Sequence, residues 1–239
     1  MTNIARTGEN CKKGVGFLFS RGGGLEQALS LERFGRYLDW AAGDRARAIE
    51  LYTLNTRISE SLYTPLQMLE VALRNRIHAV MIEVRHENWF HDEGFLLTTS
   101  QAEQLAKAIE DAGDGGKREP TPGRIVAALT FGFWTAMFGK DYETLWQTTL
   151  HRIGSRSDGK GLRRKHFSGP LTPIRRLRNR IAHHEPIIAE DLPNLYRKTI
   201  ELTGWLCPAA AEWCEAHSRF PEVYPSAPIT LHRNDEQDG

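Results

Sequence analysis

The sequence predicts an all-α protein, a helical bundle of about seven helices with loosely ordered termini. Three observations carry that expectation. Apolar residues between positions 25 and 220 recur every three or four residues rather than alternately. No two alternating runs are joined by a hairpin signal. Three Thr-Pro pairs, Thr64-Pro65, Thr121-Pro122 and Thr172-Pro173, each stand ahead of a helically spaced run; Thr can cap a helix, and Pro fits its first turn without forfeiting a useful N–H.

Residues 1–24 hold Gly8, Gly14, Gly16 and the run Gly22-Gly23-Gly24, and read as a flexible N-terminal segment. A first helix is expected over about 31–42 and a second from Asp44 to about Tyr63. After Thr64-Pro65, Leu66, Leu69, Leu73, Ile77 and Val80 form one stripe of a separate long helix that reaches the neighbourhood of Trp89. Another helix covers about 99–111. The run from Ile125 to Trp134 is apolar on nearly every side and reads as one central helix. After Thr172-Pro173, Ile174, Leu177 and Ile181 define a short helix that ends before Glu185-Pro186, because a residue preceding Pro disfavours α geometry. The last helix occupies about 191–217. Residues 112–120 and 154–170 read as loops. The helical domain thus spans 25–220, and 221–239, mixing prolines with polar and acidic residues, reads as a flexible C-terminal tail.

With 239 residues, 40% apolar and 26% charged, the chain can bury a core and is too apolar for disorder. No apolar run approaches the roughly 20 residues of a bilayer span, and the N-terminus lacks a secretory apolar core; a cytoplasmic protein without membrane contact is expected. Cys11, Cys207 and Cys214 form no Cys-x-x-Cys pair, which argues against a disulfide framework and a zinc site, and no metal or other cofactor is expected. The net charge of +1 conceals an asymmetry: residues 151–183 carry ten Lys and Arg against Asp158 alone. Such a strip fits a polyanion partner, since each phosphate neutralised releases counterions. The competing reading is a solvated basic loop balanced by the acidic C-terminal third.

The candidate chemistry lies in Leu177–Pro186. On an ideal helix Ile174, Leu177 and Ile181 share one side, while Arg176, Asn179 and His183 face the opposite way. Asn179 and His183 are neighbours one turn apart; Arg178 lies about 140° around from His183, so the two meet only if the Arg arm curls, the last turn deviates, or a second copy of the helix packs face to face. An Arg and a His converging on one phosphate suffice for metal-independent RNA cleavage. Imidazole can take the ribose 2′-hydroxyl proton or protonate the departing 5′-oxygen, and guanidinium can hold the non-bridging oxygens of the phosphorane. Arg-x4-His arises about once by chance at this composition. Spacing alone therefore leaves a rival: Arg178 packs beside the core with its head in water, and His183 and His184 complement the helix end.

Other candidates read as structural. Arg74-Asn75-Arg76-Ile77-His78 repeats the motif's letters with its His one residue early, in mid-helix. His183-His184-Glu185 lacks the spacing of a metal site. Tryptophans 40, 89, 134, 146, 205 and 213 read as core or helix-contact residues. Phe167 alone has the basic-aromatic setting of a nucleic-acid contact. Glu70 and Arg74, one turn apart beside the apolar stripe, have two readings: an ion pair that orients a neighbouring helix, or support for the site.

Arg178-Asn179-Arg180-Ile181-Ala182-His183-His184-Glu185-Pro186-Ile187 resembles the signature of the Abi-like abortive-infection proteins, a branch of the HEPN superfamily marked by Arg-x4–6-His. Leu69-Glu70-Val71-Ala72-Leu73-Arg74-Asn75 and Leu129-Thr130-Phe131-Gly132-Phe133-Trp134 are similar to further blocks of that family, in the family's order, and the three together span about residues 30–205. The resemblance implies a HEPN-like helical bundle, usually a homodimer, whose two Arg/His sets meet across a composite cleft and cut RNA without metal. It places Arg178 and His183 in the catalytic positions, with His184 a possible substitute at the next spacing and Asn179, Glu70 and Arg74 as supporting residues. RNA would be held by Arg175, Arg176, Arg180, Arg163, Arg164 and Lys165, and an antitoxin or regulator would restrain the activity. The function so implied is an endoribonuclease of antiviral defence or a toxin. Its rivals are a non-catalytic RNA-binding or protein-interaction module on the same scaffold and, third, a helical DNA-binding regulator, against which the lack of a helix-turn-helix pattern argues.

Overall fold

A computed structural model describes residues 28–92, 95 and 98–232. The expected flexible segment 1–24 and residues 233–239 of the tail lie outside the described residues. Every regular element within them is helical, so the chain is an all-α bundle, and no described helix is long and apolar enough to cross a membrane.

Helix α1 (Leu31–Trp40) starts where the Ser30 hydroxyl accepts the Arg33 N–H. Helix α2 (Arg45–Val84) starts where the Asp44 carboxylate accepts the N–H groups of Ala46 and Arg47. It runs 40 residues without interruption, through Thr64-Pro65. The two helices expected on either side of that pair are therefore one. Pro inside a helix forfeits a hydrogen bond and crowds the preceding turn at a cost of about 3 kcal/mol. Pro65 is buried on the same stripe as Ile58, Leu62, Leu66, Leu69, Leu73, Ile77 and Val80. At about 1.5–3 kcal/mol for each such side chain, burial outweighs the break.

Helix α3 (Thr99–Ala112) is capped by Thr98. Thr121-Pro122 does open a helix, α4 (Pro122–Ala128), but the expected single central helix divides at Leu129 into α4 and α5 (Phe131–Ala136). Thr130 causes the division: its hydroxyl accepts the Phe133 N–H and donates to Gln104 Oε1 at 2.6 Å, restarting the helix in a new direction. A short helix α6 (Glu143–Thr148) between 3-10 turns at Lys140–Tyr142 and Leu150–Ile153 was not foreseen.

Helix α7 (Arg164–Ala182) begins two turns before Thr172-Pro173, so both Pro170 and Pro173 lie inside it and the basic loop is shorter than expected. Again a buried stripe, Phe167, Leu171, Ile174 and Leu177, overrides the prolines. The expected last helix is two, α8 (Leu192–Leu206) and α9 (Pro208–His217), because Cys207, preceding Pro208, is extended at φ −159°, ψ 103°. A one-turn helix α10 (Phe220–Val223) follows, and Val223, Tyr224, Ile229 and Leu231 pack against the core while the His232 N–H donates to the Trp40 carbonyl. Residues 221–232 are thus bound to the fold rather than free.

Helix α2 is the spine: α1, α5, α7, α8, α9 and α10 all pack on it, α3 pairs with α4, and α7 is held between α5 and α8. Aromatic rings fill the space between, with Trp89 against Phe95 and Trp134, and Phe167 stacked on Phe138 at 5.2 Å. Phe167 is fully buried and offers nothing to a nucleic acid. Of the tryptophans, Trp213 departs from the core assignment; it is 46% exposed and stacks on His217.

Gly154 marks the closest backbone approach. A Cβ there would lie 2.3 Å from the Trp205 carbonyl oxygen, which also accepts the Ser155 N–H. Gly154→Ala is expected to cost about 1–3 kcal/mol in chemical denaturation by forcing α8 away; unchanged stability would contradict that packing.

Candidate functional site

Helix α7 ends in a turn closed by three backbone hydrogen bonds. The His183 N–H donates to the Asn179 carbonyl, the His184 N–H to Ile181, and the Glu185 N–H to Arg180 at 2.8 Å. The last two bonds are the paired closures of a Schellman turn, and they require a left-handed residue between them. His184 supplies it at φ 57°. That conformation is uncommon for a residue with a Cβ, and His is among the residues that tolerate it.

Beyond the turn, Asn55 of α2 fixes the chain. Its buried Oδ1 accepts the N–H groups of both Ile187 and Ile188, at 2.7 and 3.3 Å, and these two isoleucines are themselves buried. Arg33 of α1 donates to the His183 carbonyl at 3.3 Å. These ties engage backbone atoms and leave the imidazoles of His183 and His184 exposed, together with the side chain of Asn179.

Between α2 and α7 lies a cleft of about 360 Å³ whose polar lining is Gln67, Glu70, Arg74 and Arg178, with Tyr63, Leu66 and Ile181 among its other residues. Its lining ends at Ala182, the residue before His183. The pairing of Glu70 with Arg74 expected from their spacing gives way to another: Glu70 reaches across to Arg178, Oε2 to Nη2 3.4 Å, while Arg74 donates to the Ala127 carbonyl and keeps its buried Nε unpartnered. Glu70 thus orients an arginine of the neighbouring helix and also lines the cleft. The two readings of Glu70 coincide.

The basic strip is mostly neutralised. Arg152, Arg156, Lys160, Arg164, Arg176, Arg178 and Arg180 all lie within ion-pair distance of a carboxylate. Among the expected RNA contacts, Arg176 and Arg180 both bind Glu190, and Arg180 also faces Glu185. Arg164 is a correction: its side chain is 11% exposed, holds Glu143 and donates to the Phe138 carbonyl, so it is a strut of the fold. Its hydrogen bond holds the Glu143 carboxyl below the usual carboxylate range. Arg163, Lys165 and Arg175 are exposed and form no direct ion pair among the described residues.

The repeated motif letters at Arg74–His78 are structural. His78 Nδ1 accepts the Trp89 indole N–H at 3.0 Å, and Arg76 donates to the Ile153 carbonyl. Burial pushes the His78 pKa below its ordinary value. Among the described residues no three His, Cys, Asp or Glu side chains gather as metal ligands. Burial also pushes the Cys214 thiol up to about 11, which keeps it protonated and unreactive.

Comparison with protein-family models, with curated proteins and with solved structures finds no match to this chain. The likeness to the Abi-like proteins therefore rests on the three sequence blocks alone.

Sequence reasoning missed Asn55 and Glu190. Asn55 had a signal: a polar residue one turn from Leu51 and Ile58 on an apolar stripe. Asn55→Ala leaves two buried N–H groups without an acceptor and is expected to lower stability by about 2–4 kcal/mol, measured by urea unfolding, where a loss under about 0.5 kcal/mol would contradict the clamp. His78 makes a pH prediction. Because its folded pKa lies below its unfolded one, near 6.5, its contribution is present above that pH and lost as the pH falls through the folded value. His78→Gln, which keeps an acceptor for Trp89, is expected to flatten the decline in stability between about pH 7 and pH 5; parallel curves would refute this.

Proposed function

We propose that this chain is a metal-independent endoribonuclease of the HEPN type, cytoplasmic and homodimeric, acting in abortive infection or as a toxin under the restraint of a regulator. The observation that carries the reading is the end of α7: Arg178 lines a cleft on α2, and the exposed His183 and His184 follow immediately after the last residue of that lining.

Each part has a chemical task. Arg178 is oriented by Glu70 yet 39% exposed, so it retains N–H groups for the non-bridging oxygens of a phosphate and for the extra charge of the phosphorane. His183 takes the 2′-hydroxyl proton or delivers one to the 5′-oxygen; attack of the 2′-oxygen on phosphorus expels that 5′-oxygen and leaves a 2′,3′-cyclic phosphate. His184, next in the chain and held in a left-handed conformation, is the alternative donor.

On an ideal helix Arg178 and His183 leave the axis in directions about 140° apart. A second copy that sets its α7 end against the cleft brings its own His183 to this Arg178. Tyr63, 63% exposed on the cleft, offers apolar area to such a neighbour. A non-catalytic RNA-binding module is the second reading, and the Arg178–Glu70 ion pair favours it by occupying one edge of the guanidinium.

The test is cleavage of labelled RNA in EDTA by wild type, Arg178→Ala and His183→Ala proteins that fold alike. The nuclease reading predicts products ending in cyclic phosphate and a loss of about 100-fold or more in each variant. RNA held but uncut by all three gives the binding module instead, and a requirement for magnesium overturns the mechanism.

A further inference from the structure

We propose that the face of α7 running from Lys165 to His183 is a track for the backbone of single-stranded nucleic acid, entered through a second groove that shares no lining residue with the Arg178 cleft. The inference rests on the nuclease reading for its biological substrate, but its geometry is independent of cleavage. That groove, about 490 Å³, lies between α7 and the chain after α5. Lys140, Arg164, Lys165 and Arg175 line it, and no Asp or Glu does. Arg164 is consumed by Glu143, whose carboxylate also feels the charge of Lys165, whereas Lys140, Lys165 and Arg175 form no direct ion pair among the described residues. Arg163, Lys165 and Arg175 are thus the three residues of the basic strip that stay outside its direct ion pairs among the described residues.

Their placement on α7 is regular. On an ideal helix Lys165, Ser168, Thr172, Arg175, Asn179 and His183 fall within an arc of about 80° and along about 27 Å of axis. Lys165, Thr172, Arg175, Asn179 and His183 are exposed, and Ser168 is half-buried. Cations and hydroxyl groups in single file suit one phosphate backbone, whereas duplex RNA is gripped across successive grooves by a broader surface. The length accommodates about eight stacked nucleotides or fewer extended ones, within the range of known single-strand sites. The one ring in the lining, Phe138, is buried, so no base is stacked and contact is with phosphates, independent of sequence. Gly169 leaves the groove open: a Cβ there meets nothing within 4 Å.

The experiment measures polarisation of a fluorescent 2′-O-methyl RNA of about 12 nucleotides, which cannot be cut, at about 50 and about 250 mM salt. Wild type is compared with the Lys165→Glu/Arg175→Glu pair, with Gly169→Glu, which places a carboxylate in the groove without touching the core, and with Arg57→Glu on the exposed side of α2 as a control. The track predicts binding by wild type, tenfold or greater weakening by both groove variants, a salt slope shallower by about 1.4 in the double variant, and a control within twofold of wild type. Binding unchanged in the groove variants overturns it. So does equal or tighter binding of duplex RNA, displacement by poly-aspartate at equal concentration, or no binding by wild type. If groove variants lose the strand while wild type leaves ordinary RNA intact in EDTA, the nuclease reading falls and the track stands; cleavage by wild type with binding insensitive to the groove gives the reverse.

Discussion

The amide of Asn55 decides where α7 stops. One buried oxygen on the spine helix accepts two consecutive N–H groups, those of Ile187 and Ile188, and so fixes the strand of chain that leaves the helix. A buried N–H without an acceptor costs about 1–3 kcal/mol, more than a typical hydrogen bond contributes, and two cost about twice that, so this segment has one place to go. The Schellman turn just before it is then closed, with His184 in a left-handed conformation and the His183 carbonyl tied to Arg33. Everything proposed for the imidazoles depends on backbone ties that spend none of their own nitrogens.

The spine itself explains why local signals misled. Thr64-Pro65 and Thr172-Pro173 carry the letters of a helix start, and both lie inside helices. In each case the apolar stripe continues through the proline in register, and stripe packing is worth several times one lost hydrogen bond. Elsewhere a local signal prevails: Thr130 breaks the central run although buried apolar residues stand on both sides of it, and Cys207-Pro208 breaks the last helix. The helical class, the stripe from Leu66 to Val80 and the exposed face bearing Asn179 and His183 were legible because they follow from spacing alone. The ion partners were not, because Glu70, Glu143 and Glu190 meet their arginines through tertiary folding, at separations from 10 to over 100 residues.

Those pairings change what the basic strip means. A count of ten cations suggested a broad polyanion surface, yet most lie within ion-pair distance of a carboxylate, and two of them, Arg176 and Arg180, brace α7 against the turn and loop that follow it. What stays outside direct ion pairs in the strip among the described residues is Arg163, Lys165 and Arg175, and of these Lys165 and Arg175 lie along one face of α7 and share a groove with Lys140. Charge that the fold uses for its own positioning is screened from partners; charge left over is available for recognition. Arg178 stands between these classes, paired with Glu70 but still open to the cleft.

The central claim is that an arginine from one copy and a histidine from another act on the same phosphate. Mixing inactive Arg178→Ala and His183→Ala proteins tests it most directly, after subunit exchange and in EDTA. A shared site predicts recovery to about a quarter of wild-type cleavage, because half of the dimers are mixed and one of their two sites regains both side chains. A mixture as inactive as either variant alone would contradict the account.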